Sequence, residues 1–169
     1  MLPESLVAAR KLLEEITPLQ TDCGLVCGGA CCQTHPGEET GMLLFPGEAE
    51  MYRGEKGFTL VDSPHGTILV CEGHCSRANR PLACRMFPLV MLLRPDGVKI
   101  ATDAAAQSVC PLARQGKSAL SQDFVAAVRQ AANLLAQDDQ QAAHLRCLTD
   151  MQDELKALRA QYRGRKEHV

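Results

Sequence analysis

Four cysteines, Cys23, Cys27, Cys31 and Cys32, fall within ten residues, on a backbone interrupted by Gly24, Gly28 and Gly29. Thiols at this density, on a chain that glycine lets turn back on itself, are what a soft or borderline metal ion requires. Its sulfur ligands must converge to about 2.3 Å from one centre. Cys71, Cys75, Cys84 and Cys110 follow downstream. We assign these eight as metal ligands for zinc or iron, held as a mononuclear ion, a binuclear site or an iron-sulfur cluster. Cys31 and Cys32 are neighbours, and adjacent side chains point about 100° apart in a helix and to opposite faces in a strand. They are therefore poor joint ligands of one ion, and they favour a polynuclear or two-site arrangement.

Composition narrows the alternatives. A chain of 169 residues buries about 70 % of its unfolded surface and needs no cross-links merely to fold. Nine cysteines are an odd count that leaves one thiol over in any all-disulfide scheme. Glycines, prolines and charges flank the cluster, which is not the composition of a core of buried reduced thiols. The ninth thiol, Cys147, lies at the edge of the apolar face of the last helix and reads as a small packed hydrophobe. The first residues carry no basic and apolar leader pattern, and no apolar run approaches a membrane span, so a cytoplasmic location is expected. In that reducing setting, clustered cysteines bind metal or do chemistry more often than they form disulfides. A net charge of −2 and the absence of Trp argue against a nucleic-acid surface or an anionic membrane as partner. A protein partner stays open.

Other candidates for chemistry are weaker. His74, beside Cys75, is a possible replacement ligand, against the plainer reading of a solvent-facing loop histidine; His35 and His65 read as turn residues. Glu38, Glu39 and the Glu48 to Glu50 stretch offer general bases, although loop carboxylates are usually just solvated. Eight thiolates around two zinc ions would leave about four negative charges to be met by nearby donors, for which Arg80, Arg85 and the glycine-rich backbone are the candidates. A radical-SAM motif is incomplete, since residue 30 is Ala, and there is no C-x-x-C redox pair. The basic run Arg159, Arg163, Arg165 and Lys166 reads as a helix end complementing its dipole.

The run Cys75-Ser76-Arg77-Ala78-Asn79-Arg80-Pro81-Leu82-Ala83-Cys84-Arg85-Met86-Phe87-Pro88, taken with the upstream cluster, resembles the zinc- or iron-chelating family named for its CxxCxxCC motif. Flagellin lysine methylase is similar to that family over the cysteine motif. The resemblance spans about residues 19–115, and its most specific part is Arg-Pro-x-x-Cys-Arg-x-Phe-Pro. Here three residues, rather than the family's two, separate the early cysteines, and Ala78 stands where the family carries Tyr. The resemblance implies metal chelation, and through the methylase it leaves open a metal-dependent enzyme that modifies a protein.

The elements that must position these thiols follow from periodicity. Leu2, Leu6, Ala9, Leu13 and Ile16 recur at helical spacing, with Pro3 near the first turn and Pro18 just past the end, predicting an N-terminal helix over residues 1–17. Residues 19–35 read as an irregular loop with one helical turn around Cys31. If that stretch were helical, Cys23, Cys27 and Cys31 would share a face. A strand over 42–45, a brief helix over 47–52 and hairpins pairing 58–61 with 67–71 and 89–93 with 98–101 come next. Ser121 reads as the N-cap of a helix burying Phe124, Val128, Ala131 and Leu135. A further helix after Asp138-Asp139 should bury Leu145, Leu148, Met151, Leu155, Leu158 and Tyr162, the two forming a helical hairpin before a charged tail that frays from residue 163.

The expected fold is α+β: one domain over 1–169, with a small irregular cysteine-rich metal-binding core (19–115) carrying short β-hairpins. An N-terminal helix and a C-terminal helical hairpin (118–165) flank it. The expected function is a metal-binding protein with a structural or partner-binding role. The alternative is an iron-sulfur or metal-dependent enzyme that modifies a protein, such as a methyltransferase.

Overall fold

A computed structural model of the chain describes residues 1–33, 41–73 and 75–166, with side chains to residue 163. The fold is mixed α and β, with two small antiparallel sheets and helices at both ends. Helix α1 (Glu4–Leu12) buries Leu6 and Ala9, and Glu4 in its first turn and Lys11 in its last complement its dipole. A single turn α2 (Gly24–Cys27) ends at Gly28 and Gly29, whose φ angles of 66° and 70° lie in the left-handed region that favours glycine. The continuous helix that would align Cys23, Cys27 and Cys31 is therefore broken, and Cys31 and Cys32 sit on a separate 3-10 turn (Ala30–Cys32).

Strands β1 (Met42–Leu43), β2 (Phe58–Ser63) and β3 (Gly66–Cys71) form one sheet in the order β1-β3-β2, with Phe58 opposite Cys71. Leu44, Tyr52 and Leu69 give it a small core of its own. A five-residue helix, α3 (Leu82–Met86), leads into the hairpin β4 (Leu89–Arg94) and β5 (Gly97–Thr102). The short α4 (Pro111–Gln115) follows, then α5 (Gln122–Leu135) and α6 (Asp139–Lys166). The main core joins Leu6, Leu82, Met91, Phe124 and Leu145 from α1, α3, β4, α5 and α6, with Leu13 at the C-cap of α1.

Two expectations for the C-terminal helices are corrected. They form no helical hairpin: α5 packs on α1 and on the β4–β5 hairpin, and α6 lies along β4. The buried face of α6 is also not the apolar stripe that periodicity suggests. Leu145 is fully buried, but Leu158 and Tyr162 are 52 % and 67 % exposed, because the last turns of the helix meet the body through Arg159, which donates to the Ala104 carbonyl, and not through an apolar stripe. The face that does pack mixes Ala142 and Leu145 with buried polar residues, three of which serve backbone groups. Thr149 Oγ1 accepts from the Leu93 N–H (2.9 Å) at the β4 edge, Gln152 Oε1 accepts from the Ala104 N–H (2.9 Å), and Gln141 Nε2 donates to the Pro46 carbonyl (2.9 Å). Each bond satisfies a group that would otherwise be stranded in the interior. Helical structure also continues through Lys166, into the stretch expected to fray.

Ser121 occupies the N-cap position of α5 without a capping side-chain bond; its N–H instead donates to the Pro18 carbonyl (2.8 Å), tying α5 to the segment after α1. Asp138 is the working cap of α6. Its Oδ1 accepts from the N–H groups of Gln140 and Gln141, and its Oδ2 accepts from the Ser5 hydroxyl.

His144, 7 % exposed on α6, stacks at a tilt on Phe45 with ring centroids 4.7 Å apart. Burial lowers its pKa from the ordinary histidine value to about 4. Because the folded state holds this ring neutral, the unfolded chain binds the extra proton between those two values. Stability is full above pH ~6.5 and falls, by up to about 3 kcal/mol, as pH drops toward 4. Denaturant titrations across that window should show this loss, and His144→Gln should flatten it.

Candidate functional site

The segment between Cys75 and Cys84 is held by an unusually complete set of side chains. Arg77 donates to the carbonyls of Leu13, Glu14 and Ile16, closing the C-terminal end of α1. Arg85 spends its guanidinium on the carbonyls of Arg10 (2.9 Å), Ala78 (3.0 Å), Arg80 (3.1 Å) and Arg77 (3.4 Å). The Tyr52 hydroxyl donates to the Asn79 carbonyl (2.9 Å). All four carbonyls from Arg77 to Arg80 are therefore engaged, and the turn Arg77–Asn79 presents Arg80 in a fixed position.

Beneath this turn lies a buried ion pair between Arg10 and Glu48, the latter wholly inaccessible to solvent. Glu48 also accepts from the N–H groups of Leu82 (2.7 Å) and Phe45 (3.3 Å), so one carboxylate joins α1, the 3-10 turn Glu48–Met51 and the start of α3. Burial pushes its pKa up, while Arg10 and the two amides oppose the rise. Glu48 is thus a structural clamp and not an accessible general base. Glu50 pairs with Arg53 on the surface (3.0 Å). The expectation that Arg85 would serve a thiolate is likewise corrected: its donors are committed to carbonyls.

Around Arg80 the cysteines gather. Cys23, Cys27, Cys31, Cys84 and Cys110 line a single cavity of about 50 Å³, together with Arg80. Cys84 comes from α3, and Cys110 stands at the start of α4. Cys23 is close enough to feel the charges of Cys27, Cys110 and Arg80, and Cys75 those of Cys71, Cys32 and Arg80, whose side chain also donates to it. Cys31 hydrogen-bonds with Cys32. Burial is the leading influence that raises the pKa values of Cys23, Cys75 and Cys84; for Cys31 it is the bond to Cys32, then burial. Thiols so crowded stay protonated until a cation compensates them. All nine cysteines are thiols, with none in a disulfide among the described residues.

The chain matches no protein-family model, and no curated protein or solved structure is detectably similar to it. Within the Cys75–Pro88 run, several residues have a clear physical role in the described structure. Arg85 locks the preceding turn, Cys84 reaches the cavity from α3, and Phe87 and Pro88 help to line it.

Among the described residues, no group of three or more Cys, His, Asp or Glu side chains is arranged to hold a metal ion. The thiols share one neighbourhood without forming a coordination shell. A second feature marks that neighbourhood: Arg80 Nε is buried and, among the described residues, has no hydrogen-bond partner. Such a donor costs about 1–3 kcal/mol unless an acceptor arrives.

His35, His74, Glu38 and Glu39 lie outside the described residues. His65 takes its expected turn position between β2 and β3, with Nδ1 3.6 Å from Cys147 Sγ. Arg159, expected to complement the helix dipole, donates to the Ala104 carbonyl. Sequence reasoning missed Arg10, Glu48 and Tyr52 as the supports of the site. Glu48 carried one faint signal, a carboxylate three residues after the apolar run Met42 to Phe45.

Proposed function

We propose that this chain is a metal-binding protein that holds zinc or iron through Cys23, Cys27, Cys31, Cys32, Cys71, Cys75, Cys84 and Cys110, with the metal in a structural role. The observation that carries the reading is the gathering of thiols from separate segments around Arg80, a half-buried cation whose Nε has no acceptor among the described residues. The donor set fits: thiolates select zinc, iron and iron-sulfur centres, and a cationic donor beside coordinated sulfur offsets their charge. On binding, the ion draws the loop thiols inward and supplies the compensation that the crowded cysteines lack. Leu25 and Val26, 82 % and 62 % exposed on α2 between the ligands, give the metal-ordered loop an apolar tip for a protein partner.

Elemental analysis of the anaerobically purified full chain, with its visible spectrum, tests the proposal. Bound zinc in colourless protein, or bound iron with visible absorbance, is the expected outcome. A folded protein free of both metals overturns it.

A further inference from the structure

The eight thiols fall into two sets, and the adjacent pair Cys31-Cys32 is where they divide. The first set shares the cavity behind α2: Cys23, Cys27 and Cys31 from the glycine-rich loop face Cys110 at the start of α4. Cys23 has both Cys27 and Cys110 as close neighbours. The second set is assembled around Cys32. A side chain placed at Gly73, between Cys71 and Cys75, would sit 3.5 Å from the Cys32 carbonyl, so the backbone at Cys32 runs directly against the Cys71–Cys75 segment. Cys32, Cys71 and Cys75 are in turn the near neighbours of Cys84. Cys84 also touches the first cavity, as a residue between two centres would.

We propose that the chain holds two tetrahedral divalent ions, one on Cys23, Cys27, Cys31 and Cys110 and the other on Cys32, Cys71, Cys75 and Cys84, with Arg80 between them. This rests on the metal-binding reading above and adds the pairing and the count. The positive φ angles at Gly28 and Gly29 release the 3-10 turn Ala30–Cys32 from α2; the Cys31 and Cys32 thiols, which hydrogen-bond to each other, turn apart to their own ions on metal binding. Arg80 neighbours Cys23 of the first set and Cys75 of the second, so one cation offsets both anionic centres. Each coordinating thiol releases its proton to solvent as its sulfur binds the ion, with no change of oxidation state.

The test counts zinc on the full chain by native mass spectrometry and titrates the metal-free chain with cobalt(II) to a spectroscopic end point. The wild type should carry two ions and saturate at two equivalents. The same-set variant Cys27→Ser with Cys31→Ser should keep one ion, whereas the cross-set variant Cys27→Ser with Cys32→Ser should lose both. One ion on the wild type, or equal losses from the two variants, overturns the pairing while metal binding stands. No ion on the wild type removes the metal-binding reading itself. Should the variants not fold, the cobalt end point of the wild type decides between one ion and two.

Discussion

Stripping the metal with a chelator is expected to unfold the cysteine-bearing loop and leave the helical body standing. The two turns of residues 23–32 contain no buried residue, so nothing apolar holds them once the ions are gone. The main core, from Leu6 and Leu13 through Met91 and Phe124 to Leu145, draws nothing from that loop. Structural thiolate zinc contributes about 10–16 kcal/mol to the folding of small zinc domains. That is comparable with the entire stability of an ordinary domain, about 5–15 kcal/mol. Because the apolar core is separate, the loss is local rather than global. Hydrogen exchange with and without chelator should show residues 19–33 losing protection, with α1, α5, β4 and the Arg77–Arg80 turn nearly unchanged. Equal protection of the loop in both states would contradict the account.

The second large effect is expected far from any thiol. Glu48→Gln should destabilise the protein by about 3–5 kcal/mol, because it leaves the Arg10 guanidinium buried without its counter-charge. Replacing both partners by hydrophobes often restores stability where an ion pair stands alone. Here it should restore only part, since Glu48 also accepts from the Leu82 and Phe45 amides, and each orphaned N–H costs about 1–3 kcal/mol. Denaturant unfolding of both single variants and the Arg10→Met, Glu48→Leu double variant measures this. Since Leu82 opens the helix that carries Cys84, the single variants should also weaken metal retention.

What the sequence made legible was what repeats or what chemistry marks. The spacing of Leu6, Ala9 and Leu13 gave α1, the Pro95-Asp96 connection gave the β4–β5 hairpin, and the crowding of Cys23 to Cys32 gave the candidate site. The helical hairpin failed because periodicity reports that a helix has an apolar face and is silent on what covers it; α5 found α1, and α6 found β4. The buried polar residues of α6 were misread for a related reason. Gln141, Thr149 and Gln152 lie at helical spacing, but polar residues read as solvent-facing, and their purpose exists only once the β4 edge and two loop backbone groups need partners. Arg10 and Glu48 are 38 residues apart, and no local pattern announces such a pairing. The expected divergence of Cys31 and Cys32 also failed: their thiols hydrogen-bond to each other, because backbone geometry sets where a side chain starts and its rotamer sets where the sulfur ends.

The central claim is that sulfur from this chain binds the metal. X-ray absorption at the edge of the bound metal in the intact protein tests it most directly. The account predicts a first shell of about four sulfur atoms near 2.3 Å. A shell of oxygen or nitrogen near 2.0–2.1 Å would contradict it.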